Sequence, residues 1–252
     1  MTQSDSASPG TADKARPTGL QIIPVPGLPE IRPGDDLAGL IIDACMQSCD
    51  LHDHDVLVVS QKVVSKAEDR LVPVDPDDPM AHKPLVERES ARILRRRGDL
   101  IISETRQGFV CANAGIDRSN VAPDVASLLP EDSDRSARRI RDAVAGRHGV
   151  NVGVIVADTF GRPWRRGLTD IALGCAGLKP ILDLRGTPDA GGRELHVTEV
   201  CLVDELAAAA ELVRGKATGI AVAVIRGGGP EWFGPGSVAE QVIRHPGEDL
   251  FR

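Results

Sequence analysis

Tyrosine is absent from this chain, and four Phe and two Trp are its only aromatic residues, 2% of 252. Stacking platforms for bases are therefore scarce, which argues against a single-strand nucleic-acid binder. A basic surplus is missing too. Thirty Lys and Arg stand against 37 Asp and Glu, giving a net charge of −7 and a pI near 5.4. That balance disfavours a general nucleic-acid or anionic-membrane surface and leaves room for a local basic cleft. No apolar run reaches the length of a membrane span. The five cysteines are odd in number and form no CxxC pair. They are expected to be buried reduced thiols rather than zinc ligands or disulfides. Met1 to Thr18 is rich in Ser, Pro, Ala and charge and lacks the apolar core of a signal peptide. It is expected to be a disordered tail on a cytoplasmic protein. The remaining chain, 19–252, is aliphatic enough to build one large domain or two small ones.

The most informative stretch runs from Val150 to Gly167. Val152-Gly153-Val154-Ile155-Val156-Ala157 reads as a strand buried on both faces. It is expected to stop at Asp158, on the rim of a sheet, where α/β enzymes bind ligands. Asp158 and Thr159 offer hard oxygen donors that suit Mg²⁺ or Mn²⁺. Arg162, Arg165 and Arg166 follow within a few residues. Cation-binding oxygens beside guanidiniums suit a metal–polyphosphate site. An acid that merely caps a helix, with arginines on a solvated turn, would explain the same letters.

Elsewhere the pattern alternates strands and helices, for a mixed α/β (α+β) fold. Strands are expected at Leu20–Ile23, Val56–Ser60, Asp99–Ser103, Gly108–Ala112, Lys179–Leu184, Glu194–Val203 and Ile220–Ile225. Helices are expected at Leu37–Cys49, capped by Asp35 or Asp36, and at Leu85–Arg97, Ser133–His148, Leu168–Ala176, Asp204–Val213 and Ser237–Arg244. Arg95-Arg96-Arg97 would then suit the dipole at a helix end. Lys66 follows the second strand and is placed to reach a phosphate as a point charge. Asp117 and Asn120 lie in a polar glycine-containing loop, either a binding loop or a turn built on Asx residues. His52 and His54 alternate as metal ligands on an extended segment would, but a polar turn accounts for them better. Gly227-Gly228-Gly229 lacks the spacing of a P-loop.

Five blocks of letters, in order along residues 20 to 250, resemble the coenzyme F420:L-glutamate ligase family. They are Gly27-Leu28-Pro29-Glu30 with Pro33-Gly34-Asp35-Asp36-Leu37, and Val63-Val64-Ser65-Lys66-Ala67-Glu68. Next come Asn113-Ala114-Gly115-Ile116-Asp117 with Ser119-Asn120, and Asp158-Thr159 with Gly161-Arg162 and Arg165. Gly192-Arg193-Glu194-Leu195 with Val197-Thr198-Glu199-Val200 and Asp204-Glu205 completes the match. The resemblance implies a two-lobed, sheet-based ligase fold with irregular metal- and nucleotide-binding loops at strand ends, and a homodimer. It implies a GTP-dependent ligase that joins L-glutamate to the lactyl carboxylate of the F420 precursor, a deazaflavin, and then adds γ-linked glutamates. Some members carry a C-terminal nitroreductase-like domain, and the end at Arg252 gives the expectation of the stand-alone form. By motif, Leu28, Pro29, Glu30, Ile31, Gln61, Lys66 and Asn120 would contact GTP. Asp117, Asp158 and Thr159 would hold the divalent metal, two Mg²⁺ or Mn²⁺ ions, with K⁺ as a further cation. Arg162 and Arg165 would add positive charge during catalysis, a role inferred from their spacing and not from the family. The same acids would also serve a metal-dependent phosphohydrolase or a non-catalytic GTP-binding module.

Overall fold

The computed structural model describes residues 19–250, so the expected tail at Met1 to Thr18 lies outside the described residues. The chain runs β1 (Gln21–Val25), α1 (Leu37–Ser48), β2 (Val56–Ser60), α2 (Gln61–Ala67), β3 (Leu71–Pro73), α3 (Lys83–Glu89), β4 (Ser90–Arg97), β5 (Leu100–Thr105) and β6 (Val110–Ala112). It continues through β7 (Val125–Ser127), α4 (Ser133–His148), β8 (Gly153–Arg162), β9 (Arg165–Ala176), β10 (Ile181–Asp183), β11 (Glu199–Cys201), α5 (Leu202–Arg214), β12 (Val222–Arg226) and α6 (Val238–Gln241). The fold is mixed α+β, with several sheets and helices.

The main sheet has the order β1-β12-β2-β8-β9, and only β2 and β8 pair in parallel. Alternation along its central strands divides two cores. Leu57, Val59, Val154, Val156, Val222 and Val224 pack with α1, α2 and α4 on one face. Val56, Val58, Ile155, Ala157, Ala223 and Ile225 pack with α5 and α6 on the other. With both faces covered, the central strands read as the unbroken apolar runs seen in the sequence. Smaller sheets, β3-β7, β4-β5-β6 and β10-β11, flank this body.

Local chemistry sets the helix ends. The Asp36 carboxylate accepts from the Gly39 amide at 3.1 Å and starts α1. Asp132 does the same for α4 through the Arg135 amide at 2.8 Å, and Gly149 closes α4 in the left-handed region at φ +69°. All five cysteines are free; Cys45, Cys111 and Cys175 are buried, and Cys49 and Cys201 partly so. His54 stacks near Phe233, with ring centroids 4.8 Å apart, and Asp55 pairs with Arg226, so the His52–Asp55 segment is a structural turn.

Five expectations are corrected. Leu85–Arg97 is not one helix: α3 ends at Glu89, and β4 carries the arginines. The Ser90 hydroxyl donates to the Val86 carbonyl at 2.6 Å, which competes with helix continuation. β5 then supplies a strand partner, with Arg92 on Glu104, while Arg96 pairs back with Glu87 of α3. Leu168–Ala176 is not a helix but most of β9. A short apolar run does not distinguish the two by periodicity, and here β8 offers an edge that pairs β9 along its length. β8 does not stop at Asp158 but continues to Arg162. The expected strand 194–203 shrinks to β11 and the helix 237–244 to α6, because α5 already begins at Leu202 and α6 ends at Gln241.

The N-terminus of α4 is locked onto β9. Buried Asp134 accepts from the amides of Cys175 at 2.7 Å, Val238 at 3.0 Å and Ala239 at 3.2 Å, and from the Ser237 hydroxyl at 2.8 Å. That contact demands a bare backbone at Gly174, where a Cβ would lie 2.2 Å from the Ser133 carbonyl carbon and 2.4 Å from the Asp134 nitrogen. Gly174→Ala is therefore expected to destabilise the fold by ~3 kcal/mol and lower Tm by roughly 5–10 °C in a thermal melt. An unchanged Tm would contradict this account of the α4–β9 contact.

Candidate functional site

β2 and β8 pair in parallel only as far as Ser60 opposite Ala157. Beyond that level β2 turns into α2, while β8 continues against β9 alone. The gap left at this rim opens into a cleft of about 810 Å³. That volume falls within the ~300–1,000 Å³ typical of small-molecule sites. α2 contributes Lys62 and Lys66, β8 contributes Asp158 and Thr159, and the loop after β6 contributes Asp117 and Asn120. The segment Leu28–Ile31 and the loop that follows α5 close the remaining sides.

Nine of the twelve residues expected from the sequence meet here: Leu28, Pro29, Glu30, Ile31, Lys66, Asp117, Asn120, Asp158 and Thr159. Gln61 does not line the cleft. Its buried amide donates to the Ser65 hydroxyl at 2.6 Å and the Leu128 carbonyl at 3.2 Å, and so ties α2 to the chain after β7. Arg162 and Arg165 are exposed at the far end of the β8–β9 hairpin, where Arg162 donates to the Arg166 carbonyl at 2.9 Å. Gly227-Gly228-Gly229 is also outside the lining.

The acids and lysines form a charged lattice. The Asp117 carboxylate accepts from the Ser119 amide at 2.7 Å and its hydroxyl at 2.8 Å, an Asx turn that also presents Asp117 to the cleft. Lys62 bridges Asp117 at 2.7 Å and Ser119 at 2.6 Å. Burial would raise Asp117, but Lys62 and Ser119 outweigh it and hold the carboxyl below its usual value. Lys66 donates to Glu30 at 2.5 Å across the cleft wall. Asp158 is different. Burial first, with the charges of Asp117 and Asp170, pushes it up to about 6, and the Thr159 amide and Lys62 only partly oppose them.

Five residues of the lattice were not singled out in the sequence: Lys62, Asp170, Glu211, Arg214 and Lys216. Asp170 lies directly opposite Thr159 in the β8–β9 register and accepts from its hydroxyl at 2.5 Å. Buried Arg214, at the end of α5, pairs with Asp170 and, at 3.5 Å, with Glu211. Lys216 reaches Glu211 at 2.8 Å, Asp170 at 3.3 Å and the Thr159 hydroxyl. The signal available was Glu211 and Arg214 at the end of an otherwise alanine-rich helix, with Lys216 just beyond it, where lone charges are easily read as solvated.

Asp117 and Asp158 suit a hard divalent cation: both are carboxylates lining one cleft, close enough to repel, and Asp158 lacks a full counter-charge. Thr159 suits one less well, since its hydroxyl is already engaged by Asp170 and Lys216. Among the described residues no three His, Cys, Asp or Glu side chains converge as a metal-binding group.

The raised Asp158 value has a stability consequence. The folded protein holds this proton more tightly than the unfolded chain, whose Asp titrates near 3.8. The ionised group therefore destabilises the fold as pH rises from about 4 through about 6, and the penalty persists above that range. In metal-free buffer with EDTA, Asp158→Asn is expected to be more stable than wild type at pH 8 by ~1–3 kcal/mol. The gain should shrink toward pH 4. A lower Tm for the variant at pH 8 would contradict the electrostatic account.

Comparison with known proteins gives the family. The family described as F420-0:Gamma-glutamyl ligase matches residues 27–227. The chain is 45% identical to the coenzyme F420:L-glutamate ligase of Methanopyrus kandleri, over 92% of this chain and 98% of the relative. It is 44% identical to that of Methanothermobacter thermautotrophicus, over 83% and 89%, and 39% identical to that of Haloarcula marismortui, over 92% and 96%. The matched span contains every residue that places an acid or a lysine in the cleft, and the chain belongs to the coenzyme F420:L-glutamate ligase (F420-0:gamma-glutamyl ligase) family of enzymes.

Proposed function

We propose that this chain is a GTP-dependent ligase that joins the amine of L-glutamate to the lactyl carboxylate of the F420 precursor and then adds further glutamates by γ-linkage. The observation that carries this reading is the meeting of Asp117 and Asp158 with Lys62, Lys66 and the segment Leu28–Ile31 in one cleft. The reading includes a two-lobed body and a homodimer, as the family resemblance implies.

The chemistry must make a carboxylate into an acyl donor. In the proposed course a carboxylate oxygen of the acceptor attacks the γ-phosphorus of GTP, the bond to GDP breaks, and an acyl phosphate forms. The glutamate amine then attacks the carbonyl carbon. A C–N bond forms, the C–O bond to phosphate breaks, and inorganic phosphate and a proton leave. Asp117 and Asp158 would hold Mg²⁺ or Mn²⁺, which when bound neutralises charge on phosphate oxygens. The chain's own contribution is position and fixed charge. Lys62 and Lys66, both on α2, present ammonium groups beside the two acids. Lys66 exchanges Glu30 for a phosphate oxygen, and Asn120 and Leu28–Ile31 bind the nucleotide. Arg162 and Arg165 lie outside the lining, so the fixed charge is assigned to the lysines.

The nucleotide is GTP on the strength of the family match. Thermal-shift titration with Mn²⁺ is expected to show a larger gain for GTP than for ATP, about 2.7 kcal/mol at a hundred times Kd. An equal or larger gain with ATP would count against the assignment. GTP consumption should require both glutamate and the deazaflavin acceptor; consumption without them would favour a phosphohydrolase.

Asp158→Asn separates a metal ligand from a structural acid. Asn is nearly isosteric but a much weaker partner for a divalent cation. Ligation under saturating Mn²⁺ is expected to fall ~1,000-fold with the fold retained. A near wild-type rate would remove Asp158 from the metal site.

A further inference from the structure

Thr159 is the residue whose surroundings depart from its expected role. Its hydroxyl donates to Asp170 and accepts from Lys216, so its proton and one lone pair are engaged within the protein. The Lys216 ammonium sits among three oxygens, from Thr159, Asp170 at 3.3 Å and Glu211 at 2.8 Å. An ammonium has three N–H groups, and this nest uses all of them. The nest is held from behind. Asp170 is 3% exposed and is fixed by Arg214, itself 2% exposed and paired with Glu211 as well. Two carboxylates and two cations are therefore balanced at Thr159 without any metal. At the other acid pair the balance differs. Lys62 bonds Asp117 and Ser119 and keeps one N–H for a ligand, while Asp158 is not bonded by it.

We infer that Lys216 is a built-in second cation of the cleft, its ammonium supplying the charge that a second divalent ion would bring, so that the chain binds one divalent ion, at Asp117 and Asp158, and none at Thr159. A divalent ion at Thr159 would have to displace the ammonium or sit against it and the buried Arg214 guanidinium, and like charges at such range repel strongly. The inference rests on the functional reading above, and it replaces the two-ion expectation carried by the family resemblance. Lys216 is thereby a positioning residue for the phosphate end of the nucleotide, next to Asp158 and Thr159.

The test is a count of bound Mn²⁺. Equilibrium dialysis with a saturating non-hydrolysable GTP analogue, read by the electron paramagnetic resonance of free Mn²⁺, gives ions per chain. Wild type is expected to bind one ion. Lys216→Gln, which removes the charge but keeps a hydrogen-bonding oxygen, is expected to bind two, and Lys216→Arg to stay at one. The Lys216 side chain is 58% exposed, so neither variant disturbs the core, and a matching Tm checks this. Two ions in wild type, or one in Lys216→Gln, would overturn the inference while leaving the ligase reading in place. No Mn²⁺ retained by any of the three proteins would overturn both.

Discussion

Ser60 and Ala157 are the last partners in the parallel pairing of β2 and β8, and the chain just beyond each of them borders the cleft. Both strands are buried on both faces between α1, α2 and α4 on one side and α5 on the other. Neither can slip without turning apolar side chains toward the wrong layer. Their register therefore fixes where α2 starts and where Asp158 emerges, and through them the distance from lysines to acids. The antiparallel pairing of β8 with β9 extends the same logic, since it sets Asp170 opposite Thr159.

Upon that frame the cleft is organised by electrostatics in a partly buried setting. Asp117, Asp158 and Asp170 are three carboxylates in one depression, and only Asp117 and Asp170 have direct cationic partners, Lys62 for the first and Arg214 with Lys216 for the second. Asp158 is left with its pKa pushed up to about 6. A site built this way stores an unmet demand for positive charge at one acid while neighbouring acids are already neutralised. In the proposed reading the ligand that meets the demand is a divalent cation. The lysines that remain near it can turn toward the negative charge which that cation brings with it. This is the physical case for a nucleotide–metal complex as the occupant.

Much of this was legible in the letters, and the failures have identifiable causes. The central strands announced themselves because their β-branched residues are buried on both faces, and α1 because an acid, Asp36, caps it. Asp117 and Asp158 could be read as cleft acids because each follows an apolar run within a motif. The β4 arginines misled because a charged run with scattered Ile and Leu fits a helix as well as an edge strand, and the choice was made by a partner, β5, that lies apart from that window. Leu168–Ala176 misled for a related reason, since only the neighbouring strand decides its geometry. Arg214 is missed because nothing local marks a charge as buried, and Lys216 because nothing local marks its partners. Their significance comes from Asp170, more than forty positions earlier in the sequence.

The central claim is that the charges of this cleft serve amide-bond formation from glutamate. Mass spectrometry of the products after incubation with GTP, Mn²⁺, L-glutamate and the deazaflavin precursor tests it most directly. The account predicts a precursor mass increased by one glutamate residue or more, with GDP and phosphate formed in step with each addition. GTP hydrolysed to GDP while the precursor keeps its original mass would contradict it.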